Sequence, residues 1–129
     1  MNLLDENIPE HQRQLLRSWR VPVRQIGREV GRAGLPDDAI VTLLHQLPRP
    51  TFFTRGDGFY QRALCHPAYC LVYLAVGQYE VASFARRFLQ HPMFATHTRR
   101  RGTVVRVSHT ALRFWCLHHA TEEEVRWPA

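Results

Sequence analysis

Apolar and polar positions follow two different periods along this chain, and each period predicts one kind of element. Short apolar or alternating runs, typical of strands, fall at residues 2–5, 22–26, 51–54 and 69–76. Apolar residues recur at helical spacing at residues 10–19, 36–47 and 79–89. The run at 69–76 is apolar on both faces, which predicts a central strand that is covered on both sides.

The C-terminal part of the chain has a different pattern. Two alternating segments, 103–107 and 111–117, flank the turn Ser108-His109-Thr110 and predict a β-hairpin. Residues 121–129 are acidic and then polar, so we expect a loose tail there. Because strands alternate with helices before the hairpin, we predict an α/β protein. Residues 1–120 would form a single domain with an open, mainly parallel sheet flanked by helices.

Length and composition narrow the class of protein. The chain has 129 residues, 45% of them hydrophobic, which suits one packed domain. No apolar run is long enough for a membrane span. The apolar stretch near the start stops at Asp5, too early for a signal peptide. These features predict a soluble, cytoplasmic protein with no membrane partner.

The charge of the chain is strongly positive. All 17 basic residues are arginines, against 11 acidic residues, which gives a net charge of +6. Guanidinium groups bind phosphate through paired hydrogen bonds, so the excess of arginine favours contact with nucleic acid. An equally good interpretation is that the arginines only keep the surface soluble. The candidates for RNA contact are Arg55, Arg86, Arg87, Arg99, Arg100 and Arg101.

The three cysteines are Cys65, Cys70 and Cys116, and their odd number argues against a disulfide framework. The histidines beside them are His66, His118 and His119. A zinc site is conceivable, but no CxxC pair is present and a buried free thiol is the more common outcome.

Three acidic residues stand at predicted element boundaries. Asp5 ends the first strand, Asp37 begins the second helix, and Asp57 follows the strand at 51–54. In an open α/β sheet, ligands bind outside the carboxyl ends of the strands, where the strand order reverses. If the first and third strands are neighbours, Asp5 and Asp57 face one crevice, and Asp37 reaches it from its helix.

Such a group of carboxylates suits Mg²⁺ or Mn²⁺. Neighbouring carboxylates repel one another unless a cation neutralises them, and these two ions prefer oxygen ligands. A bound metal activates water and stabilises charge on a phosphoryl oxygen. Two of these acids also have ordinary structural explanations that involve no metal. Asp37 suits the start of a helix, and Asp57 suits a turn. Asp5 is the least ordinary, because strands are depleted of Asp.

Three segments carry a family resemblance. They are Leu3-Leu4-Asp5-Glu6-Asn7 followed by Pro9, then Pro36-Asp37-Asp38-Ala39-Ile40, then Phe53-Thr54-Arg55-Gly56-Asp57-Gly58-Phe59. Together they resemble the compact PIN-like family of VapC-type ribonucleases, and the later strand and hairpin also match its layout. The resemblance implies a Mg²⁺- or Mn²⁺-dependent endoribonuclease, the toxin of a toxin–antitoxin pair with an antitoxin partner. It also implies Asp5 and Asp37 as metal ligands, with Thr54 orienting a carboxylate or water.

The third segment departs from the family pattern. PIN-like proteins show Asp-x-Asp after Thr-Arg, whereas this chain has Gly56-Asp57-Gly58. Successive residues of an extended chain point to opposite sides, so Asp57 reaches the site only if the glycines let the backbone turn. Two functions therefore stay open. One is an endoribonuclease that uses Asp5, Asp37 and Asp57, and the other is a weak or inactive module that binds RNA or an antitoxin.

The amphipathic segment at 79–89 also has two interpretations. Its apolar positions include Phe84 and Phe88, which predict packing against the sheet of the same chain. The alternative is an interface for a homodimer or for an antitoxin.

Overall fold

The structure is a computed structural model that describes residues 1–128. Its strands are Asn2–Leu4 (β1), Arg24–Gln25 (β2), Thr51–Thr54 (β3), Cys70–Leu74 (β4), Thr103–Val107 (β5), Ala111–Cys116 (β6) and Glu123–Arg126 (β7). Its α-helices are Glu10–Ser18 (α1), Asp37–Gln46 (α2), Val81–Gln90 (α3) and His97–Arg100 (α4). Short 3₁₀ helices at Asp57–Phe59 and Arg62–Leu64 lie between β3 and β4.

All the strands belong to one sheet, in the order β2-β1-β3-β4-β5-β6-β7. The five strands from β2 to β5 in this order pair in parallel, and β6 and β7 are antiparallel additions. The predicted α/β class, the mainly parallel sheet and the C-terminal hairpin of β5 and β6 are therefore confirmed. Strand β2 pairs with one side of β1, and the next strand in the sequence, β3, pairs with the other side of β1. The strand order consequently reverses at β1.

Helices cover both faces of the sheet because alternate strand residues point to opposite sides. On one face, Leu4 and Phe53 lie in a buried cluster with Leu16 of α1 and Phe88 of α3. On the other face, strand residues such as Phe52 pack with the apolar side of α2. This double burial explains why β3 and β4 are almost continuously apolar in sequence.

The C-terminal segment is more ordered than its sequence predicts. Residues 123–126 form β7, with Val125 opposite Leu112 and Glu123 opposite Phe114 of β6. The indole Nε1 of Trp127 donates a hydrogen bond to the carbonyl of Ser108 at 2.8 Å. The expectation of a loose tail is therefore wrong for residues 123–127, and Ala129 lies outside the described residues.

Helix α3 packs within its own chain. Val81, Phe84 and Phe88 are buried in the core cluster beneath it, and Ala82 N donates to the side chain of Gln12 in α1 at 2.9 Å. The apolar face of this helix is thus accounted for by intramolecular packing. No helix within residues 1–128 combines the length and the apolar character that crossing a membrane would require.

Candidate functional site

Asp5 lies at the carboxyl edge of the parallel strands, where the strand order reverses. It directly follows β1, and its backbone N–H donates to the carbonyl of Phe53 in β3 at 2.9 Å. Its half-buried carboxylate accepts two hydrogen bonds, from the hydroxyl of Thr54 at 2.7 Å and from the backbone N–H of Glu6 at 2.8 Å. The ends of β1 and β3 therefore fix this carboxylate at the place where open α/β sheets bind ligands.

Thr54 has a defined role beside this carboxylate. It is the last residue of β3 and is fully buried. Its hydroxyl donates to Asp5 and accepts from the backbone N–H of Gly56 at 2.9 Å, so both of its hydrogen-bonding capacities are used. The structure thus places Thr54 where it orients the carboxylate of Asp5.

Two further carboxylates act on Asp5. Burial, as the largest cause, raises the pKa of Asp5, and the negative charges of Glu6 and Asp37 raise it further. The carboxylate of Glu6 accepts from the backbone N–H of Gly34 with both oxygens, at 2.9 and 3.0 Å. This contact ties the loop that precedes α2 to the end of β1, and Asp37 is the first residue of α2. Glu6 therefore bridges two segments that lie far apart in the sequence.

Asp57 does not join this group. It begins a 3₁₀ helix and its side chain is exposed, as is that of Asp37, and among the described residues the carboxylates of Asp5, Asp37 and Asp57 do not all lie within 4.8 Å of one another. The flanking glycines instead face the site: a Cβ on Gly56 would lie 3.3 Å from Thr54 Oγ1, and a Cβ on Gly58 would lie 3.4 Å from Asp37 Oδ2. The charge of Asp37 therefore acts on Asp5, but the three predicted acids do not converge as one set of ligand atoms in the described residues.

These carboxylates have no cationic neighbour of their own. Within residues 1–128, no arginine or histidine nitrogen lies within 4.0 Å of the carboxylates of Asp5, Glu6, Asp37 or Asp57. Burial is the main cause of the raised pKa of Asp5, and a divalent cation would relieve the smaller contribution that comes from repulsion by Glu6 and Asp37. Mg²⁺ keeps several waters and is often bound through only one or two carboxylates of the protein.

Arg100, one of the predicted RNA-contacting arginines, belongs instead to the interior. It is 9% exposed, its Nε donates to Thr51 Oγ1 at 2.7 Å, and its Nη1 donates to the carbonyl of Phe94 at 2.9 Å. These bonds join α4 to the start of β3. The expectation that Arg100 contacts RNA from an exposed surface is therefore wrong.

The other predicted arginines are more accessible but lie on different elements. The guanidinium carbon of Arg86 lies 3.8 Å from the ring centre of Trp19, and that of Arg87 lies 4.4 Å from the ring centre of Trp127. Arg55 and Arg99 donate to backbone carbonyls, whereas Arg101 is exposed. Stacking on an aromatic ring leaves the edges of a guanidinium group free. Arg86 and Arg87 therefore retain N–H donors for phosphate.

A basic cavity lies at the opposite edge of the sheet from Asp5. It has a volume of about 710 Å³ and opens where β1 and β2 begin. Its polar lining is Asn2, Arg17, Arg20, Arg24 and Arg100. The sequence analysis missed the first three of these arginines because it looked for dense basic runs. They lie in helix α1, in the turn that follows it and in strand β2, so no single periodic pattern in the sequence marks them.

Comparison of the chain with protein-family models, with curated proteins and with solved structures finds no match.

Proposed function

We propose that this protein is a divalent-metal-dependent endoribonuclease of the PIN-like type, and that Asp5 and Asp37 hold Mg²⁺ or Mn²⁺. The observation that carries the proposal is the fixed carboxylate of Asp5 at the strand-order reversal. Asp37 acts on it electrostatically, and no arginine neutralises either residue. The family resemblance of the segments that contain Asp5, Asp37 and Thr54 supports the same assignment.

Each residue would contribute differently to the chemistry. Asp5 is held from both sides by Thr54 and by the backbone of Glu6, so its remaining lone pairs have a fixed direction. Asp37 would bind the same ion from the start of α2, and Glu6 adds negative charge while it holds the loop before that helix. A metal bound there supplies an activated water and stabilises charge on the phosphoryl oxygens of RNA.

The biological setting that we propose follows from the same resemblance. The protein would act as the toxin of a toxin–antitoxin pair, in the cytoplasm, with an antitoxin protein as its partner. The net charge of +6 supports an RNA substrate, because arginines attract the phosphate backbone.

A second function is favoured by a specific observation. Both glycines that face the site stand where PIN-like proteins carry acids, and Asp57 between them is exposed. A site with fewer ligands binds its ion more weakly, which would make the protein a module that binds RNA or an antitoxin without cleaving.

RNA cleavage with Mn²⁺ tests the first function. We expect the parent to cleave and Asp5→Asn to lose at least about 100-fold in rate, since even an outer partner of a metal ligand contributes 10- to 100-fold. Asp37→Asn should also lose activity. Asp38→Asn is the matched control, because Asp38 is the next residue of the same helix and its carboxylate accepts only from the backbone N–H of Ala39.

The outcomes separate the two functions. Equal cleavage by the parent and Asp5→Asn contradicts the assigned mechanism and points to a contaminating nuclease. A parent that binds RNA and cleaves none at millimolar Mn²⁺ supports the non-catalytic module.

A further inference from the structure

Three potential metal ligands meet at the turn between β6 and β7. Cys116 is the last residue of β6, His119 lies in the turn, and Glu123 begins β7. The thiol sulfur, an imidazole nitrogen and a carboxylate oxygen all lie within 4.8 Å of one another. No other group of three acidic, histidine or cysteine side chains within residues 1–128 is as close.

Glu123 differs from the two glutamates beside it. Glu122 accepts a hydrogen bond from the hydroxyl of Tyr60 at 2.6 Å, and Glu124 pairs with Nε of Arg113 at 3.4 Å. The carboxylate of Glu123 has no hydrogen bond or ion pair with any part of the chain that the structure describes. Of three consecutive glutamates, the one that faces the thiol and the imidazole is thus the one left without a protein partner.

The register of the sheet explains this arrangement. Glu123 pairs with Phe114 across β6 and β7, so the two side chains share a face. Cys116 lies two residues after Phe114 on the same strand and therefore on that face as well. The backbone N–H of His119 donates to the carbonyl of Cys116 at 3.1 Å, which closes the turn and returns the chain toward β7.

We propose that Cys116, His119 and Glu123 form a Zn²⁺ site that fastens β7 to the rest of the sheet. A thiolate with an imidazole favours zinc over Mg²⁺ or Mn²⁺, which prefer oxygen ligands alone. These three residues are one ligand fewer than a closed structural zinc site uses, so water would take the fourth position. The neighbouring thiol of Cys65 is engaged elsewhere, since it donates to the carbonyl of Trp115 at 3.5 Å.

Binding is a simple exchange at sulfur. The Sγ–H bond of Cys116 breaks, its proton passes to solvent, and the sulfur electron pair forms the bond to zinc. No residue is oxidised or reduced. The ion joins the end of β6 to the start of β7, so it closes the loop of residues 117–122 and should stabilise the terminal strand.

This zinc site is separate from the candidate metal site at Asp5 and Asp37, which we call the acidic site. Strand β6 runs antiparallel to β5, so Cys116 lies at the edge where the parallel strands begin. Asp5 lies at the edge where they end. The inference therefore stands without the proposed ribonuclease function.

Cobalt titration of the full chain tests the proposal, because Co²⁺ bound to a thiolate gives a charge-transfer absorbance band that oxygen-only sites lack. We expect the parent to show this band and Zn²⁺ to displace the cobalt. Cys116→Ser should abolish the band, and His119→Ala and Glu123→Gln should each weaken Zn²⁺ binding by at least about tenfold.

Matched controls lie next to each ligand. His118→Ala and Glu124→Gln should bind Zn²⁺ as the parent does, and Asp5→Asn should keep the cobalt band. Zn²⁺ should raise the Tm of the parent but leave that of Cys116→Ser unchanged. The absence of a thiolate band at millimolar Co²⁺, or equal losses in the ligand and control variants, would overturn the zinc site and leave the acidic site untouched.

Discussion

Two glycines occupy the positions beside Asp37 and Thr54 where a further carboxylate would have to stand. Neither Gly56 nor Gly58 has a positive φ, so both adopt backbone conformations open to other residues. A Cβ at position 58 would lie 3.4 Å from Asp37 Oδ2, which is an ordinary contact distance. A side chain at position 58 would therefore fit, and it would extend toward the candidate metal ligands.

Restoring an acid at this position should complete the candidate metal site. We expect Gly58→Asp to strengthen Mn²⁺ binding by at least about tenfold and to raise RNA cleavage, because each added carboxylate increases the charge that holds the ion. Isothermal titration with Mn²⁺ and a cleavage assay give the two readouts. Gly58→Asn is the control of equal size without charge, and a gain as large in Gly58→Asn would contradict the role of the carboxylate.

The proton affinity of Asp5 offers an independent test of the same site. Burial, Glu6 and Asp37 raise its pKa above the ordinary 3.8, so carboxyl NMR should show Asp5 titrating above that value. We expect Asp37→Asn to lower the pKa, Asp57→Asn to leave it unchanged, and added Mg²⁺ to lower it. If neither Asp37→Asn nor added Mg²⁺ changes the pKa of Asp5, Asp5 and Asp37 do not share a metal site.

The sign of the stability effect follows from the direction of this pKa shift. Since the folded state holds the proton of Asp5 more tightly than the unfolded state, the contribution of Asp5 to stability is present at low pH. It is lost as the pH rises from 3.8 through the raised pKa. Ionised Asp5 is thus a cost to the fold at neutral pH, as expected of a residue placed for binding.

At the scale of elements, the sequence pattern predicts best where burial decides the structure. Strand β3 forms over the predicted residues 51–54, because every side chain in it is buried. Strand β7 was missed because it carries mostly charged residues, and only Val125 and Trp127 suggest an inner face. The stability of β7 comes from pairing with β6 and from the bond of Trp127 to Ser108, and neither contact is visible in a local pattern.

The same limit applies to the candidate site. Sequence alone left open whether Asp57, between its two glycines, reaches the crevice with Asp5, and in the structure its side chain is exposed at the start of a 3₁₀ helix. The bond between Glu6 and Gly34 joins segments 28 residues apart, so no local spacing predicts it. Arg100 shows the opposite error: a run of three arginines suggests a surface, but helix α4 turns one of them inward onto Thr51.

Across the whole molecule, Asp5 with its neighbouring acids and the basic cavity lie at opposite edges of the sheet. The acidic group lies where the parallel strands end, and the basic cavity with Arg17, Arg20 and Arg24 lies where they begin. Strand β1 has three residues, so roughly 10 Å separates the two edges along it. That distance spans only a few nucleotides, and one RNA strand could therefore reach both edges at once.

If RNA does so, arginines of the basic cavity should matter more than other arginines. We expect Arg20→Gln combined with Arg24→Gln to weaken RNA binding and to reduce the magnitude of the salt slope by about 1.4, at about 0.7 per phosphate contact on a single strand. Mn²⁺ affinity should be unchanged.

The control is Arg28→Gln combined with Arg113→Gln, which removes equal charge from arginines that pair with Glu10 and Glu124. Fluorescence anisotropy over a range of salt concentrations measures both slopes. If the two double variants lose RNA affinity equally, total charge alone attracts the RNA, and the cavity has no particular role in binding it.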